Sequence, residues 1–271
     1  MTAATATEAG TLRFGLVELD LLATHAGAAL PFPLRVPSFG RIAGEREVLL
    51  AAAGQTLRWR GLADDAGPVG PAAELVTALR EHRSTVDLVL GTPDGPVGVA
   101  VVVYRSWALI CRQAPDDDPA STVGIRRVPQ AALARELLAL VPDLAPARAM
   151  PITLPARAVN GAARVLEGVE DDAEKALRLR ELVRDCGGDP GLLDQLAGLL
   201  PELNGWGQLG ATARTRSGAV RAGTELSWLD GPRGRLRVNR AGDGWVSVNP
   251  LRQADLRGVV EVLGATARVP R

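Results

Sequence analysis

The chain has few of the residues that usually do chemistry. It holds two histidines, two cysteines, one tyrosine and a single lysine, Lys175. His25 and His82 both fall in helical segments, and neither has a second histidine or a cysteine at ligand spacing, which argues against a metal centre. Cys111 and Cys186 lie far apart with no Cys-x-x-Cys between them, so they read as small buried hydrophobes of a reducing cytosol. There is no G-x-S-x-G elbow, and no local signal assembles a Ser-His-Asp triad. The formal net charge is zero, so the basic stripe that phosphate backbones demand is missing and nucleic-acid binding is disfavoured. Long apolar runs are missing too. The longest, Val97 to Tyr104, is far short of the roughly 20 residues that span a bilayer, so no membrane insertion is expected. Met1 to Gly10 is small and polar without a positive n-region, and residues 1–11 read as a tail rather than a secretory signal.

What is present is a globular composition, 46% hydrophobic over 271 residues with only 3% aromatics. The core must therefore be built of Leu, Val and Ala, with five Trp as special pieces. The chain also echoes itself. Asp94-Gly95-Pro96-Val97-Gly98 recurs as Asp230-Gly231-Pro232-Arg233-Gly234. A Trp-led strand follows each copy, at Trp107 and Trp245, and then a helix opened by Pro129 or Pro250. Such turn residues can recur without duplication, but the order of the flanking segments echoes as well.

Helices are expected over Gly15–Leu30 and Arg41–Leu62, and from Pro71, where Ala72, Leu75, Val76 and Leu79 share a face. Strands follow at Ser84–Leu90, Val97–Tyr104, Trp107–Arg112 and Thr122–Val128, and then a helix carrying Ala134, Leu137, Leu138 and Val141. Val97–Tyr104 is apolar on both sides, as suits a strand covered on both faces. Pro142 to Pro151 reads as the joint between halves. Three more helices are marked by Val159 to Leu166, Leu179 to Cys186 and Leu192 to Leu200. Strands near Gly207–Thr215, Thr224–Leu229, Gly234–Asn239 and Trp245–Val248 follow, and a last helix with Leu256, Val259, Val260 and Leu263 on one face. Counting strands and matching the Asp-Gly-Pro copies give repeat registers that differ by one strand. Consecutive strands on short turns argue for antiparallel pairing. The fold class is α+β: a quasi-two-fold duplicated unit with a central, mostly antiparallel sheet flanked by helical bundles. Residues 12–146 and 147–266 form its halves, expected to fold as one cooperative domain.

Gly205-Trp206-Gly207-Gln208-Leu209-Gly210 matches G-x-G-x-x-G, with Glu225 and Asp230 some way on. A dinucleotide site needs a strand before the glycines and a helix after them. Here a Leu-rich helix precedes and a strand follows, so the glycines read as a helix-to-strand corner. A nucleotide-binding enzyme using Gly205–Gly210 remains the alternative from another class. Asp116-Asp117-Asp118 lacks the alternating oxygens of a calcium loop and reads as a solvated hairpin tip. Glu170-Asp171-Asp172 reads as acidic residues at a helix N-terminus. No catalytic, cofactor or metal residue is assigned.

Gly207-Gln208-Leu209-Gly210-Ala211, Ser227-Trp228-Leu229-Asp230, Gly234-Arg235, Gly244-Trp245-Val246 and Pro250 together resemble the C-terminal half of the EspG family. Pro31-Phe32-Pro33-Leu34-Arg35-Val36-Pro37-Ser38 and Trp59-Arg60-Gly61-Leu62 resemble its N-terminal half. The likeness runs from about Leu12 to about Ala265, carried by the order and spacing of motifs that are individually weak. It implies a cytoplasmic, non-enzymatic chaperone of ESX (type VII) secretion in actinobacteria. Such a chaperone binds the PPE subunit of a PE–PPE pair and keeps it soluble for export, without a cofactor. An EspG-like scaffold for a non-PPE client is the second reading. The chain departs from some members in its short Thr92–Val97 hairpin loop. Trp59-Arg60-Gly61 also matches the W-x-G of small type VII substrates, but the chain is too long and strand-rich to be one. A monomer is the expected state. With the family as guide, the client surface is placed in the C-terminal half at Trp206, Gln208, Arg214, Trp228 and Arg235. Trp and Arg are the types that most often anchor interfaces, and Gly207 and Gly210 would let another backbone approach.

Overall fold

The computed structural model describes residues 10–114, 120–199, 202–215, 217–222, 225–240, 242 and 244–266. The Asp116–Asp118 hairpin tip and most of the N-terminal tail lie outside the described residues.

In chain order the elements are β1 (Leu12–Gly15), α1 (Leu16–Ala26), α2 (Ala43–Trp59), β2 (Ala63–Asp64), β3 (Gly67–Pro68), α3 (Gly70–Glu81), β4 (Ser84–Thr92), β5 (Gly95–Tyr104), β6 (Trp107–Gln113), β7 (Thr122–Pro129), a 3-10 turn at Gln130–Ala132, and α4 (Leu133–Leu138). There follow β8 (Ile152–Pro155), α5 (Ala156–Leu166), α6 (Asp172–Asp185), α7 (Pro190–Leu199), β9 (Gly205–Thr215), β10 (Gly218–Arg221), β11 (Leu226–Gly231), β12 (Gly234–Arg240), β13 (Trp245–Pro250) and α8 (Gln253–Thr266). Local chemistry accounts for several boundaries. Pro71 sits in the first turn of α3, where its missing N–H costs nothing. Asp171 caps α6 by accepting from the Glu174 N–H at 2.7 Å.

The chain divides into two compact units. One comprises residues 1–141, 209–225 and 260–271; the other comprises 142–208 and 226–259. The division therefore falls near the expected joint, but Leu209–Glu225 clusters with the first unit. In that unit the strands run β1-β7-β6-β5-β4, with β9 beside β4 and β10 beyond it. Helices α1 to α3 pack on one face, against Ala100, Val102 and Tyr104 of β5, Leu109 and Cys111 of β6, and Val123 and Ile125 of β7. Val99, Val101 and Val103 point the other way and are also buried, so β5 is covered on both faces as its run of apolar residues implied.

In the second unit the strands run β8-β13-β12-β11, with the first residues of β9 beside β11. The core joins Ile152 and Leu154 of β8, Leu236 of β12 and Val248 of β13 to Ala158 of α5, Val183 of α6 and Leu199 of α7. Each unit thus repeats one plan: a short edge strand, three helices, then an antiparallel run whose last strand pairs back to the first. β1 pairs antiparallel with β7, and β8 pairs antiparallel with β13.

This plan settles the register of the repeat. Topology matches β5, β6 and β7 to β11, β12 and β13. The first Asp-Gly-Pro copy lies at the β4–β5 turn, where Thr92 pairs with Gly95 across Pro93-Asp94. The second lies at the β11–β12 turn, where Gly231 pairs with Gly234 across Pro232-Arg233. These hairpins are not counterparts, because β11–β12 corresponds to β5–β6. The sequence echo is turn chemistry used twice, and counting strands gives the correct register. Pro129 and Pro250 do correspond, but each ends a strand. The last helix begins at Gln253, not at Pro250. The four-residue strands β1 and β8 were not legible, because edge strands so short show no alternation.

Candidate partner-binding surface

The glycine motif lies inside a strand. β9 runs unbroken from Gly205 to Thr215, so no helix N-terminus follows the glycines and the dinucleotide geometry does not form. Two of the glycines admit side chains instead. A Cβ on Gly207 would stand 2.0 Å from Cζ2 of Trp228. A Cβ on Gly210 would stand 2.0 Å from Nη2 of Arg221. The close approaches foreseen for a partner's backbone are occupied from within the protein.

Trp228 leads to the most tightly organised polar cluster of the second unit. Asp230 and Arg235 are cross-strand neighbours on β11 and β12, on the same face as Trp228. Arg235 donates from Nε to Asp230 Oδ1 at 2.6 Å and from Nη2 to Oδ2 at 2.9 Å, a two-point fork. Its Nη2 also reaches the Pro142 carbonyl at 2.9 Å. Trp228 donates from Nε1 to Asp230 Oδ2 at 3.3 Å, and the guanidinium stands 5.5 Å from the indole ring. Main-chain bonds reinforce the junction: Arg235 N donates to Ala145 O at 2.8 Å and Ala147 N to Arg235 O at 2.9 Å. Trp228 and Arg235 are each only 1% exposed. Their burial moves them from the expected partner surface to the core of the unit, where they pin the 142–147 segment to β12. Sequence reasoning missed Asp230 as the centre of this cluster, although an acid and an arginine five residues apart across a hairpin were the available signal.

Arg214 falls in the first unit. Its Nη1 donates to the Arg80 carbonyl at 2.6 Å in the last turn of α3, and its N–H to Arg83 O at 2.8 Å. The cation thus satisfies a carbonyl at a helix C-terminus, where the dipole favours it. Nearby His82 lies with Nδ1 2.9 Å from Leu79 O, and burial lowers its pKa first, with the Arg214 charge adding to the effect. A second ion pair went unforeseen. Asp87, 2% exposed in β4, is bound by both terminal nitrogens of Arg221 from β10, the Nη2–Oδ2 distance being 2.9 Å. Hydrogen bonding to Asp87 raises the Arg221 pKa. Gly210 leaves the space through which that guanidinium passes.

Trp206 and Gln208 are placed differently. Gly207 faces Trp228, so by alternation Trp206 and Gln208 point to the opposite face of β9. On β11 that face carries Ser227 and Leu229, and Leu229 packs with α5 to α7. Trp206 stands on the bundle side of the strands with 44% of its surface exposed, and Gln208 is half-buried. Close by in sequence, Glu202 pairs with Arg233 at 3.0 Å, and its carbonyl lies beside Gly231. Of the five expected residues, these two keep surface in the second unit.

The N-terminal motifs act as struts. Arg60 of Trp59-Arg60-Gly61 donates from Nη1 to both carboxylate oxygens of Glu18, at 2.7 and 2.6 Å, and lies over Phe14. Arg35 of the Pro-rich segment exchanges two hydrogen bonds with the buried Gln113, at 2.7 and 2.9 Å. Burial pushes the Cys111 thiol up to about 12, which suits an inert core residue.

These features define a class: a duplicated α+β protein whose polar clusters brace strands and whose glycine motif is strand, not phosphate loop. The sequence matches the EspG family over residues 16–261, and the chain belongs to that family. No curated protein matches it in sequence. Among solved structures it is similar to the Mycobacterium tuberculosis type VII secretion system chaperone EspG5 in complex with a PE25–PPE41 dimer. The identity is 13%, the TM-score 0.63, and 95% of each chain is covered, so the two share a fold. Among the described residues no helix is long and apolar enough to cross a membrane.

Proposed function

We propose that this chain is a cytoplasmic, non-enzymatic chaperone and specificity factor of type VII secretion. It binds a substrate of PE–PPE type and keeps it soluble for export. Membership of the EspG family across residues 16–261 carries this reading. Supporting it, the chain shares its fold with a chaperone solved in complex with a PE–PPE dimer. The non-enzymatic part is supported by the glycine motif lying within β9 and by the inert setting of Cys111. The client surface we assign is the bundle side of β9, with Trp206 as anchor and Gln208 as directional donor and acceptor. An exposed Trp beside a helical bundle offers a large rigid contact at low entropic cost.

The test is co-expression with PE–PPE pairs from the same genome, followed by affinity purification. The wild type should co-purify with at least one pair and raise its soluble yield. Trp206→Ala should weaken capture by about thirtyfold or more, the scale of an interface hot spot, with the melting temperature unchanged. Capture of no PE–PPE pair, with capture of another secreted protein, would favour the scaffold for a different client. Full capture by Trp206→Ala would move the surface elsewhere.

A further inference from the structure

One end of the first unit's sheet lines up arginines from β7, the β5–β6 turn, the entry to β4 and β9. Arg127 of β7 shares the helical face of its strand with Val123 and Ile125. Tyr104 and Trp107 pair across the two-residue turn Arg105-Ser106. Arg83 N donates to Val103 O at 3.0 Å, which sets Arg83 beside that turn, and Arg214 N donates in its turn to Arg83 O at 2.8 Å. Two rings tie part of this row together. The Arg105 guanidinium stands 5.0 Å from the Tyr104 ring, the Tyr104 and Trp107 centroids are 5.0 Å apart, and the Arg127 guanidinium stands 4.9 Å from the Trp107 ring. Cation, ring, ring and cation form a ladder. Arg83, Arg105 and Arg127 are all exposed. Arg105 is also strained. Its φ is 50°, and among the described residues it is the one non-glycine in the left-handed region. A two-residue hairpin usually places Gly, Asn or Asp at such a position, and arginine takes it at a cost. Here the cost sets a guanidinium over Tyr104, and strain held at an exposed turn points to function.

We propose that this arginine rim binds an acidic, extended segment of a partner protein. Its charges are only partly answered from within. Glu74 pairs with Arg127 at 3.3 Å, and Glu81 accepts from the Tyr104 hydroxyl at 3.0 Å. Among the described residues neither Arg83 nor Arg105 has a carboxylate partner. A guanidinium held over a ring loses little freedom on binding, and its planar fork matches the two oxygens of a carboxylate. Arginines one or two strands apart stand about 5–10 Å from one another, close to the roughly 7 Å between alternate side chains of an extended peptide. A phosphate polymer fits less well. Glu74 and Glu81 stand within the row and would meet its closely spaced charges, whereas the sparser carboxylates of a peptide can pass between them. The rim uses neither Trp206 nor Gln208, so it stands or falls apart from the client surface assigned above.

Fluorescence anisotropy of the full chain reads this directly, with a labelled peptide of alternating Glu and Ser as probe and the same peptide carrying Gln for Glu as control. At about 50 mM salt the acidic peptide should bind at roughly tens of micromolar and the control at least about tenfold more weakly. Raising the salt to about 300 mM should weaken the acidic peptide about fivefold or more. Arg83→Gln and Arg105→Gly should each weaken it about fivefold. Arg105→Gly also relieves the left-handed backbone, so its melting temperature should hold or rise while binding falls, which a purely structural arginine would not do. Should Arg105→Gly melt lower, Arg83→Gln, exposed and outside the turn, decides the matter. Equal binding of the two peptides overturns the proposal, and so does wild-type affinity in Arg83→Gln. Tighter binding of a single-stranded oligonucleotide, or of phosphatidylserine vesicles, than of the acidic peptide at the same salt also overturns it and gives the rim to phosphates.

Discussion

Replacing Arg235 by methionine should unfold the second unit's polar junction from within. The substitution keeps much of the side-chain volume and removes the fork onto Asp230, at 2.6 and 2.9 Å, together with the bond to Pro142 O. Asp230, itself buried, would keep only the 3.3 Å bond from Trp228. Stranding one partner of a buried pair costs about 3–5 kcal/mol, far more than the pair itself contributes relative to an apolar replacement. At roughly 2–4 °C per kcal/mol for a chain of this size, the melting temperature should fall by roughly 6–20 °C. Adding Asp230→Asn removes the stranded charge but leaves a group that accepts from the indole, so the double variant should recover at least half of the loss. The assay is thermal unfolding followed by circular dichroism and tryptophan fluorescence, the latter reporting on Trp228. A single variant melting within about 2 °C of wild type would refute the reasoning, since a surface arginine costs no more than that. A double variant no better than the single would show that lost packing, not a stranded carboxylate, sets the cost.

Gly207→Ala should lower the melting temperature by several degrees, because its Cβ would stand 2.0 Å from a rigid indole and overpacking costs about 1–3 kcal/mol; unchanged melting would mean that Trp228 can move aside. Expressed apart, residues 1–146 and 147–271 should each be poorly soluble, because the cut strips Leu209–Glu225 from the first unit, exposing the edge of β4 and removing Arg221 from Asp87; two soluble, cooperatively melting fragments would defeat this. His82 has its pKa lowered in the folded state, so its contribution to stability is complete above about 6.5 and falls as pH drops below that value, when the unfolded chain binds the proton more readily. His82→Gln should therefore lose less melting temperature than wild type between pH 7.5 and 5.5, and equal losses would remove His82 from the account.

Much of the architecture was written in local pattern. The helical stripes of α3 and α6, the all-apolar run of β5 and the turns at Pro93-Asp94 and Pro232-Arg233 all follow from periodicity and backbone chemistry, which act within a few residues. The α+β class and the order of the longer elements needed nothing more, and the glycine motif could be set aside from its neighbours in sequence alone. Long-range pairing lay beyond that reach. Whether Asp94-Gly95-Pro96 and Asp230-Gly231-Pro232 were true counterparts depended on which strands lie side by side, and only the pairing of β1 with β7 and of β8 with β13 decided it. The candidate site divided in the same way. Trp206, Trp228, Arg214 and Arg235 are the same two residue types in similar strand contexts. Sequence could not say which are buried, because burial is set by what packs from elsewhere: Gly207 makes room for Trp228 and Asp230 receives Arg235, whereas Arg214 stays exposed at the end of α3. An arginine reads as a surface charge until a carboxylate distant in sequence or in strand is brought to meet it, and that meeting is a property of the tertiary structure alone.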